Sequence, residues 1–430
     1  MKRYETYKDS GIQWWEEIPT HWDLKKAKHM FSLVTENVSD SSLPKIALEN
    51  IESWTGKYIE TDSDFMGEGV EFKKDDILFG KLRPYLAKVY KAEFAGQAVG
   101  DIYVFRGNEE QNPEYLKYLL LSYPFISVVD GSTYGAKMPR ANWDFISHLV
   151  LPCPPKTEQV TIAAYVDHKV SQIDATIAEK EQMLEDLKAY RSAIISETVT
   201  KGLDKNVEMK DSGVEWIGMI PKHWNINKLK FFADISTGTT PSTDNEEYWK
   251  EPTENWYTPS DFCEENVHLE TSSRKVSATA FQESACRVFK KDVVLVVGIG
   301  ATLGKIGISS VECSANQQIN AIEFYDNVYP LFGAYYLSSL KEVMKSLASA
   351  ATLAIMNQSV TGSIPFVCPT LDEQKEIADY LEKKTKSIGS LLNQIEVQID
   401  ELKSYKSVLI TEAVTGKIDL REWKPKEDNV

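Results

Sequence analysis

The sequence lacks the features that mark several common classes of protein. It has five cysteines among 430 residues, no Cys-x-x-Cys pair and six histidines that do not cluster, so it predicts neither a disulfide framework nor a zinc site. No apolar run approaches the roughly 18 residues of a transmembrane helix, and we expect no membrane partner. The charged N-terminal residues do not resemble a secretory signal, so a cytoplasmic protein is expected.

Motifs for known chemistry are missing as well. The stretch 298–305 looks like a nucleotide-binding loop, but its last two glycines enclose three residues instead of four, and Ile306 follows the lysine instead of Ser or Thr. We interpret it as a tight turn between strands. Neither a Gly-x-Ser-x-Gly nor a His-Glu-x-x-His motif occurs. The sequence therefore predicts a chain without catalytic or metal-binding residues.

Basic residues are fewer than acidic ones: the chain has 48 Lys and Arg and 64 Asp and Glu, which gives a net charge of −16. DNA binding nevertheless depends on whether basic residues gather on one surface. Two basic stretches contain no acid: residues 77–92 hold Lys81, Arg83, Lys88 and Lys91, and residues 131–143 hold Lys137 and Arg140. These stretches are candidates for contact with nucleic acid.

The sequence contains a long internal repeat. KDSGIQWWEEIPTHW, which begins at Lys8, returns 202 residues later as KDSGVEWIGMIPKHW. CPPKTEQ, which begins at Cys153, returns 215 residues later as CPTLDEQ. The segments between these motifs differ, and their short apolar runs bounded by Gly and Asp predict strands mixed with helices. The chain is therefore expected to contain one unit twice, with similar ends and different middles.

An apolar period of seven residues follows the second motif of each copy. Such a narrow row over many turns predicts a long helix, and two matching rows favour pairing of the helices with each other over packing of each helix on its own domain. Lys180 interrupts the first row, and we expect its ammonium group to extend outward. The predicted seam consists of Val166, Ile173, Leu187 and Ile194 in the first helix and of Leu381, Ile388, Ile395, Leu402 and Leu409 in the second.

These motifs together closely resemble the specificity subunit of type I restriction–modification enzymes. The resemblance rests on the two openings ending in His-Trp, on CPPKTEQ and CPTLDEQ, and on the helix ends Glu197–Thr200 and Glu412–Thr415 with Tyr190 and Tyr405 before them. It implies an α+β fold, in which two tandem mixed α/β target recognition domains are separated by two long helices that form an antiparallel coiled coil with a pseudo-two-fold repeat. The expected order is a first recognition domain at 1–155, a first conserved helix at 156–204, a second recognition domain at 205–367, and a second conserved helix with the C-terminal tail at 368–430.

The resemblance also implies a function. Each recognition domain would read one half of a bipartite, asymmetric site in double-stranded DNA. The helices would set the spacer and dock two methyltransferase subunits, which restriction subunits then join. The chain would be non-catalytic and bind no cofactor, because S-adenosylmethionine is expected in the methyltransferase subunits.

Two other classes remain open at this stage. A paired-helix scaffold that binds only protein would have no use for basic, acid-free loops. A nuclease–methyltransferase fusion would need the catalytic motifs that are missing.

Candidate DNA contacts follow from the side chains that recognise bases, typically Arg or Lys for guanine and Asn or Gln for adenine. For each candidate, a solvated surface residue or a turn-forming residue is the alternative. Lys88 and Lys305 are equivalent in the repeat, so we predict a shared role such as phosphate contact, whereas Arg83 and Arg140 lack basic counterparts and are predicted to read bases. The candidates are Lys81, Arg83, Lys88, Lys137, Arg140 and Asn142 in the first domain, and Arg274, Lys275, Lys305, Asn316, Gln317, Gln318 and Asn357 in the second.

Overall fold

A computed structural model describes residues 2–12, 14–38, 43–61, 68–133, 138–348 and 355–425 of the chain. The chain divides into two compact units, the first formed by Met1–Glu181 with Val397–Val430 and the second by Gln182–Glu396. Since the two long helices cross these limits, each unit contains one half of each helix.

The first unit combines small sheets with short helices. Its strands pair in the orders β1-β2, β12-β3, β5-β7-β10-β6 and β4-β11-β8-β9. Helix α1 begins where Pro113 follows Asn112, whose side chain accepts a hydrogen bond from the Tyr115 backbone N–H. The elements are β1 (Tyr7–Asp9), β2 (Glu17–Pro19), β3 (Asp23–Lys26), β4 (Phe31–Val34), β5 (Asn37–Val38), β6 (Lys45–Ile46), β7 (Gly69–Phe72), β8 (Ile77–Gly80), β9 (Val89–Lys91), β10 (Gly96–Ala98), β11 (Ile102–Gly107), α1 (Pro113–Leu121), α2 (Tyr123–Gly131), α3 (Trp143–His148) and β12 (Val150–Cys153).

The first long helix, α4 (Lys156–Lys201), leads into the second unit, which repeats this plan. Its strands pair in the orders β13-β14, β15-β24, β16-β23-β20-β21-β18 and β19-β17-β22. The elements are β13 (Met209–Asp211), β14 (Met219–Pro221), β15 (Asn225–Lys228), β16 (Ala233–Thr237), β17 (Glu254–Tyr257), β18 (His268–Leu269), β19 (Lys275–Val276), α5 (Ala278–Gln282), β20 (Val293–Val297), β21 (Ile306–Ser309), β22 (Ser314–Ala315), β23 (Ile319–Phe324), α6 (Pro330–Ser338), α7 (Lys341–Ala348), α8 (Gln358–Ser363), β24 (Pro365–Cys368) and the second long helix α9 (Leu371–Val414).

The long helices run antiparallel where they meet in the first unit. Lys180 Nζ lies 2.7 Å from Gln398 Oε1, whereas the earlier Asp174 of α4 pairs with the later Lys406 of α9, also at 2.7 Å. Lys180 is half-buried, and its ammonium group donates a hydrogen bond to the Gln398 side chain. The mixed α/β fold with two long paired helices is therefore confirmed. Of the predicted seam residues, Leu187 and Leu402 are half-buried and all the others are buried.

The repeated motifs form a joint that connects each long helix to the strands and short helices before it. Glu158, in the first turn of α4, accepts hydrogen bonds from the Trp22 indole at 2.8 Å and from the Tyr4 hydroxyl at 3.1 Å, and its other oxygen lies 2.6 Å from His21 Nε2. Its neighbour Gln159 is buried and accepts from the Asn112 backbone N–H at 2.8 Å. The two adjacent side chains therefore tie α4 both to the N-terminal hairpin and to the start of α1.

The second unit has the same joint. Glu373 binds His223 at 2.8 Å and the Trp224 indole at 3.2 Å, and the buried Gln374 accepts from the Tyr329 backbone N–H at 2.7 Å. Burial raises the pKa of Glu373, but the hydrogen bonds from His223, Thr370 and Trp224 outweigh it and lower that pKa to about 2. The repeated histidines and tryptophans thus connect each long helix to the hairpin that precedes it.

Candidate nucleic-acid interface

Three segments meet beyond the end of β8 in the first unit, and we call residues 81–87, 99–101 and 138–141 the first loop cluster. Lys81 donates its backbone N–H to Asp101 at 2.9 Å, and its carbonyl accepts from the Ala141 N–H at 2.8 Å. Arg83 donates its backbone N–H to the Pro139 carbonyl at 2.8 Å. Backbone hydrogen bonds therefore hold segments that are distant in the sequence at one edge of the unit.

The second unit forms an equivalent cluster, the second loop cluster, from residues 298–304, 316–318 and 355–358. Gly298 donates its N–H to the Gln318 carbonyl at 2.8 Å and accepts from the Met356 N–H at 2.7 Å. Isolated bridges pair Leu82 with Arg140 in the first cluster and Ile299 with Ile355 in the second. The backbone frame is therefore shared, while the side chains that it carries differ.

The turn that resembled a nucleotide-binding loop lies in the second cluster, and its glycines are needed for its shape. Gly300 and Gly304 have φ angles of +83° and +84°, in the left-handed region that favours glycine. The equivalent residues of the first cluster, Arg83 and Ala87, adopt φ angles of +52° and +46°. A non-glycine residue pays roughly 1–2 kcal/mol for this conformation. Arg83, whose side chain is exposed, is thus presented on a strained turn.

The basic stretches are acid-free in the sequence but not in space. Asp101, from the neighbouring turn, forms a two-pronged ion pair with Arg140 at 3.1 and 3.0 Å and lies 3.7 Å from Lys81 Nζ. Lys81 also stands 5.3 Å from the centroid of the Tyr103 ring. The surface formed by the two stretches therefore includes a carboxylate, because the fold brings Asp101 in from outside both of them.

Lys88 and Lys305, which are equivalent in the repeat, both donate hydrogen bonds to backbone carbonyls of their own unit. Lys88 Nζ donates to the carbonyls of Leu48 and Ile51 at 2.6 and 2.8 Å, and Lys305 Nζ donates to the Phe262 carbonyl at 3.0 Å. Each ammonium group thus closes a turn of its own domain. A phosphate would have to compete with these carbonyls, so both lysines are weaker candidates for DNA contact than the sequence suggested.

The two asparagine candidates also have structural roles. Asn142 accepts a hydrogen bond from the Asp144 N–H at 2.8 Å as the N-cap of α3, and Asn357 accepts from the Val360 N–H at 2.9 Å as the N-cap of α8. Both helices directly precede the strand that leads to a long helix. These side chains therefore belong to the frame of the clusters.

The remaining candidates divide between the second cluster and its surroundings. Asn316 donates to Gln318 at 3.0 Å and Gln317 accepts from the Thr240 hydroxyl at 2.5 Å, with both glutamines exposed. Lys275 lies half-buried in β19, next to the exposed Arg274. Lys137 lies outside the described residues.

The structure adds two exposed residues that the sequence reasoning missed. Gln358 donates to the Thr237 hydroxyl at 2.9 Å, and Arg287 donates to the Thr237 carbonyl at 3.3 Å. Gln358 could have been found, since it follows Asn357 and glutamine commonly pairs with adenine. Arg287 carries no such signal, because only the pairing of distant strands brings it to this edge.

Other kinds of site are not found in the part of the chain that the structure describes. No helix there is long and apolar enough to cross a membrane. Likewise, no group of three or more His, Cys, Asp or Glu side chains in the described ranges could hold a metal ion.

Comparisons with known proteins agree on one family. The model for the type I restriction modification DNA specificity domain matches residues 221–401. The MjaIX specificity subunit of Methanocaldococcus jannaschii is 28% identical over 194 residues, which are 43% of this chain and 44% of that relative. The putative MjaX specificity subunit of the same organism is 22% identical over 445 residues, covering 96% of this chain and 98% of the relative. The chain thus matches less than half the length of the first relative and nearly all of the second.

Solved structures show the same fold. A chain from a study of complex assembly and conformational transition in the type I R-M system aligns with a TM-score of 0.76 at 17% identity, covering 93% of this chain and 99% of its own. The HsdS subunit from Thermoanaerobacter tengcongensis aligns with a TM-score of 0.53, also at 17% identity, covering 93% and 98%.

Proposed function

This chain belongs to the family of type I restriction–modification specificity subunits, the DNA-recognition and not the catalytic component of those systems, and from that premise we propose that its two loop clusters each read one half of a bipartite, asymmetric site in double-stranded DNA. The observation that carries the proposal is the shared backbone frame with different side chains. Equivalent frames suit one mode of docking on DNA used twice. Different side chains, such as Asp101 against Gln318 and Arg83 against Gly300, suit two different half-sites.

We further propose that two methyltransferase subunits dock on the long helices, which set the spacer, and that restriction subunits join this assembly in the cytoplasm. Tyr190 of α4 and Tyr405 of α9 occupy equivalent positions and are 53% and 50% exposed. An aromatic side chain exposed at the same place in both copies is typical of a surface that a partner covers. Two equivalent surfaces suit two copies of one partner, which would supply S-adenosylmethionine and the catalytic residues.

The isolated chain is expected to bind DNA weakly and to gain affinity and sequence preference with its methyltransferase partner. The net charge of −16 opposes long-range attraction to phosphate, and Asp101 compensates two of the basic side chains of the first cluster. Titration of labelled DNA at physiological salt, with and without the partner, measures both states. Tight, specific binding by the chain alone would contradict the need for a partner, and a complex without sequence preference would favour a scaffold that binds only protein.

Arg83→Ala is expected to relax base preference in the first half-site by ~1–3 kcal/mol, because an exposed arginine on a strained turn can donate two hydrogen bonds to guanine. Lys88→Ala is the matched comparison five residues away. It should lower the free energy of unfolding by about 1–2 kcal/mol, because two carbonyls lose their donor, and should leave base preference unchanged. Selection from randomised DNA and denaturant unfolding measure the two effects. A change of base preference in Lys88→Ala with none in Arg83→Ala would reverse the assignment.

A further inference from the structure

Arg274, one of the exposed candidates for DNA contact, lies against two tryptophan rings. Its guanidinium carbon lies 5.2 Å from the centroid of the Trp249 ring and 5.1 Å from that of the Trp256 ring. The two rings stand at 90° to each other, with their centroids 5.6 Å apart. The guanidinium therefore occupies a corner formed by two aromatic faces, while its side chain remains exposed to solvent.

The corner is itself fixed in place. The Trp249 indole donates to the Ser242 carbonyl at 3.1 Å, and the Trp256 indole donates to the Thr239 carbonyl at 3.0 Å. A small separate core backs it, formed by Trp256, Val276, Ala280 and Cys286. Because both indoles are anchored through their N–H groups, the faces that meet Arg274 cannot easily turn away.

This arrangement lies in a part of the chain that is longer in the second copy than in the first. The opening motif returns after 202 residues, but Phe72-Lys73-Lys74-Asp75 returns after 217, so the second copy has gained 15 residues between Trp224 and Phe289. Trp249, Arg274 and α5 all lie within that interval. The second unit thus carries an exposed arginine in the interval where its length exceeds that of the first unit.

The corner adjoins the second loop cluster. Trp256 in β17 pairs with Ser314 of β22, the strand that leads directly into Asn316. Thr239, which accepts from the Trp256 indole, is followed by Thr240, whose hydroxyl donates to Gln317. Arg274 is therefore connected through two contacts to the exposed amides of the cluster.

The electrostatic setting of Arg274 differs from that of Arg140. Arg140 is held by the carboxylate of Asp101, which compensates its charge. Within the described ranges no ion pair of Arg274 is found, so no carboxylate compensates its charge. The two aromatic faces restrict the motion of its guanidinium group. A guanidinium already held in one place loses less conformational freedom when it binds, and its planar fork matches the O6 and N7 atoms of guanine.

We propose that Arg274 determines specificity in the second half-site by donating two hydrogen bonds to a guanine in the major groove, and that Trp249 is a positioning residue for it. The inference rests on the proposed function, because it requires the second loop cluster to face DNA. It assigns the recognition of one defined base to the interval that is longer in the second copy.

The experiment uses the full chain in complex with its methyltransferase subunit. Selection from randomised DNA first identifies the guanines of the second half-site, and each is then replaced by 7-deazaguanine, which lacks the N7 acceptor. At one position we expect the replacement to weaken binding of the unaltered complex roughly 5- to 150-fold. In the Arg274→Ala complex the same replacement should change binding less than about twofold, because the donor is already gone.

Three further variants separate reading from charge and folding. Arg274→Lys keeps the charge but not the planar fork, so it should weaken the guanine preference, though less than Arg274→Ala does. Trp249→Leu should weaken binding and keep the preference, and Lys250→Ala, an exposed cation beside the corner, should change neither. A guanine preference that survives in Arg274→Ala and Arg274→Lys overturns the inference and leaves the proposed function standing. If the unaltered complex selects no sequence at all, the proposed function fails, and the inference with it.

Discussion

Replacing residues 229–364 with the corresponding segment of another family member is expected to change one half of the recognised DNA sequence completely and to leave the other half unchanged. The segment contains the whole second loop cluster and the corner around Arg274. It begins and ends at one backbone contact, because the Leu229 N–H donates to the Ile364 carbonyl at 2.8 Å. The paired strands β15 and β24, which flank the segment, stay in the host chain.

The reciprocal exchange is the control. Residues 27–149 are limited in the same way, since the Ala27 N–H donates to the Leu149 carbonyl at 2.8 Å and β3 pairs with β12 just outside. That exchange should alter only the opposite half of the site. Sequencing of methylated DNA from a host that carries each chimera with its partner reads out both halves at once. If either chimera alters both halves, the two domains do not read independently.

Glu158→Ala is expected to lower the stability of the first unit by about 3 kcal/mol, because hydrogen bonds to a charged group are strong and the buried Trp22 indole is left without its acceptor. His21 and Tyr4 lose their partner as well. Hydrogen exchange of the full chain should show faster exchange concentrated in residues 2–22 and the start of α4, and thermal unfolding should begin at a lower temperature.

Glu179→Ala is the matched control, since it removes the same group from an exposed position of the same helix. It should leave both measurements close to those of the unaltered chain. Glu373→Ala, at the equivalent joint, should place the faster exchange in residues 209–224 instead. An effect of Glu158→Ala no greater than that of Glu179→Ala would show that the joint contributes little to stability.

Much of the frame followed from the sequence because it is periodic and repeated. The seven-residue row predicted most of the buried positions of α4 and α9, because residues seven apart lie on the same face of a helix. The duplicated His-Trp and Glu-Gln motifs marked the joints, although their mutual hydrogen bonds were not foreseen. The side chains of the loop clusters were predicted less well, because a list of Arg, Lys, Asn and Gln does not tell a cap such as Asn142 from an exposed group such as Gln318.

The sequence by itself determined that this chain contains an internal repeat, two long paired helices and none of the catalytic motifs considered above. Repeats and periods can be found in this way because they are properties of the order of residues. Only the tertiary structure decided which side chains share a surface. Asp101 meets Arg140, Lys88 donates to Leu48 and Ile51, and Trp249 meets Arg274, although the members of each pair are well separated in the sequence. Folding brings charges together irrespective of their distance in the sequence, so the electrostatics of the two loop clusters could be learned only from the tertiary structure.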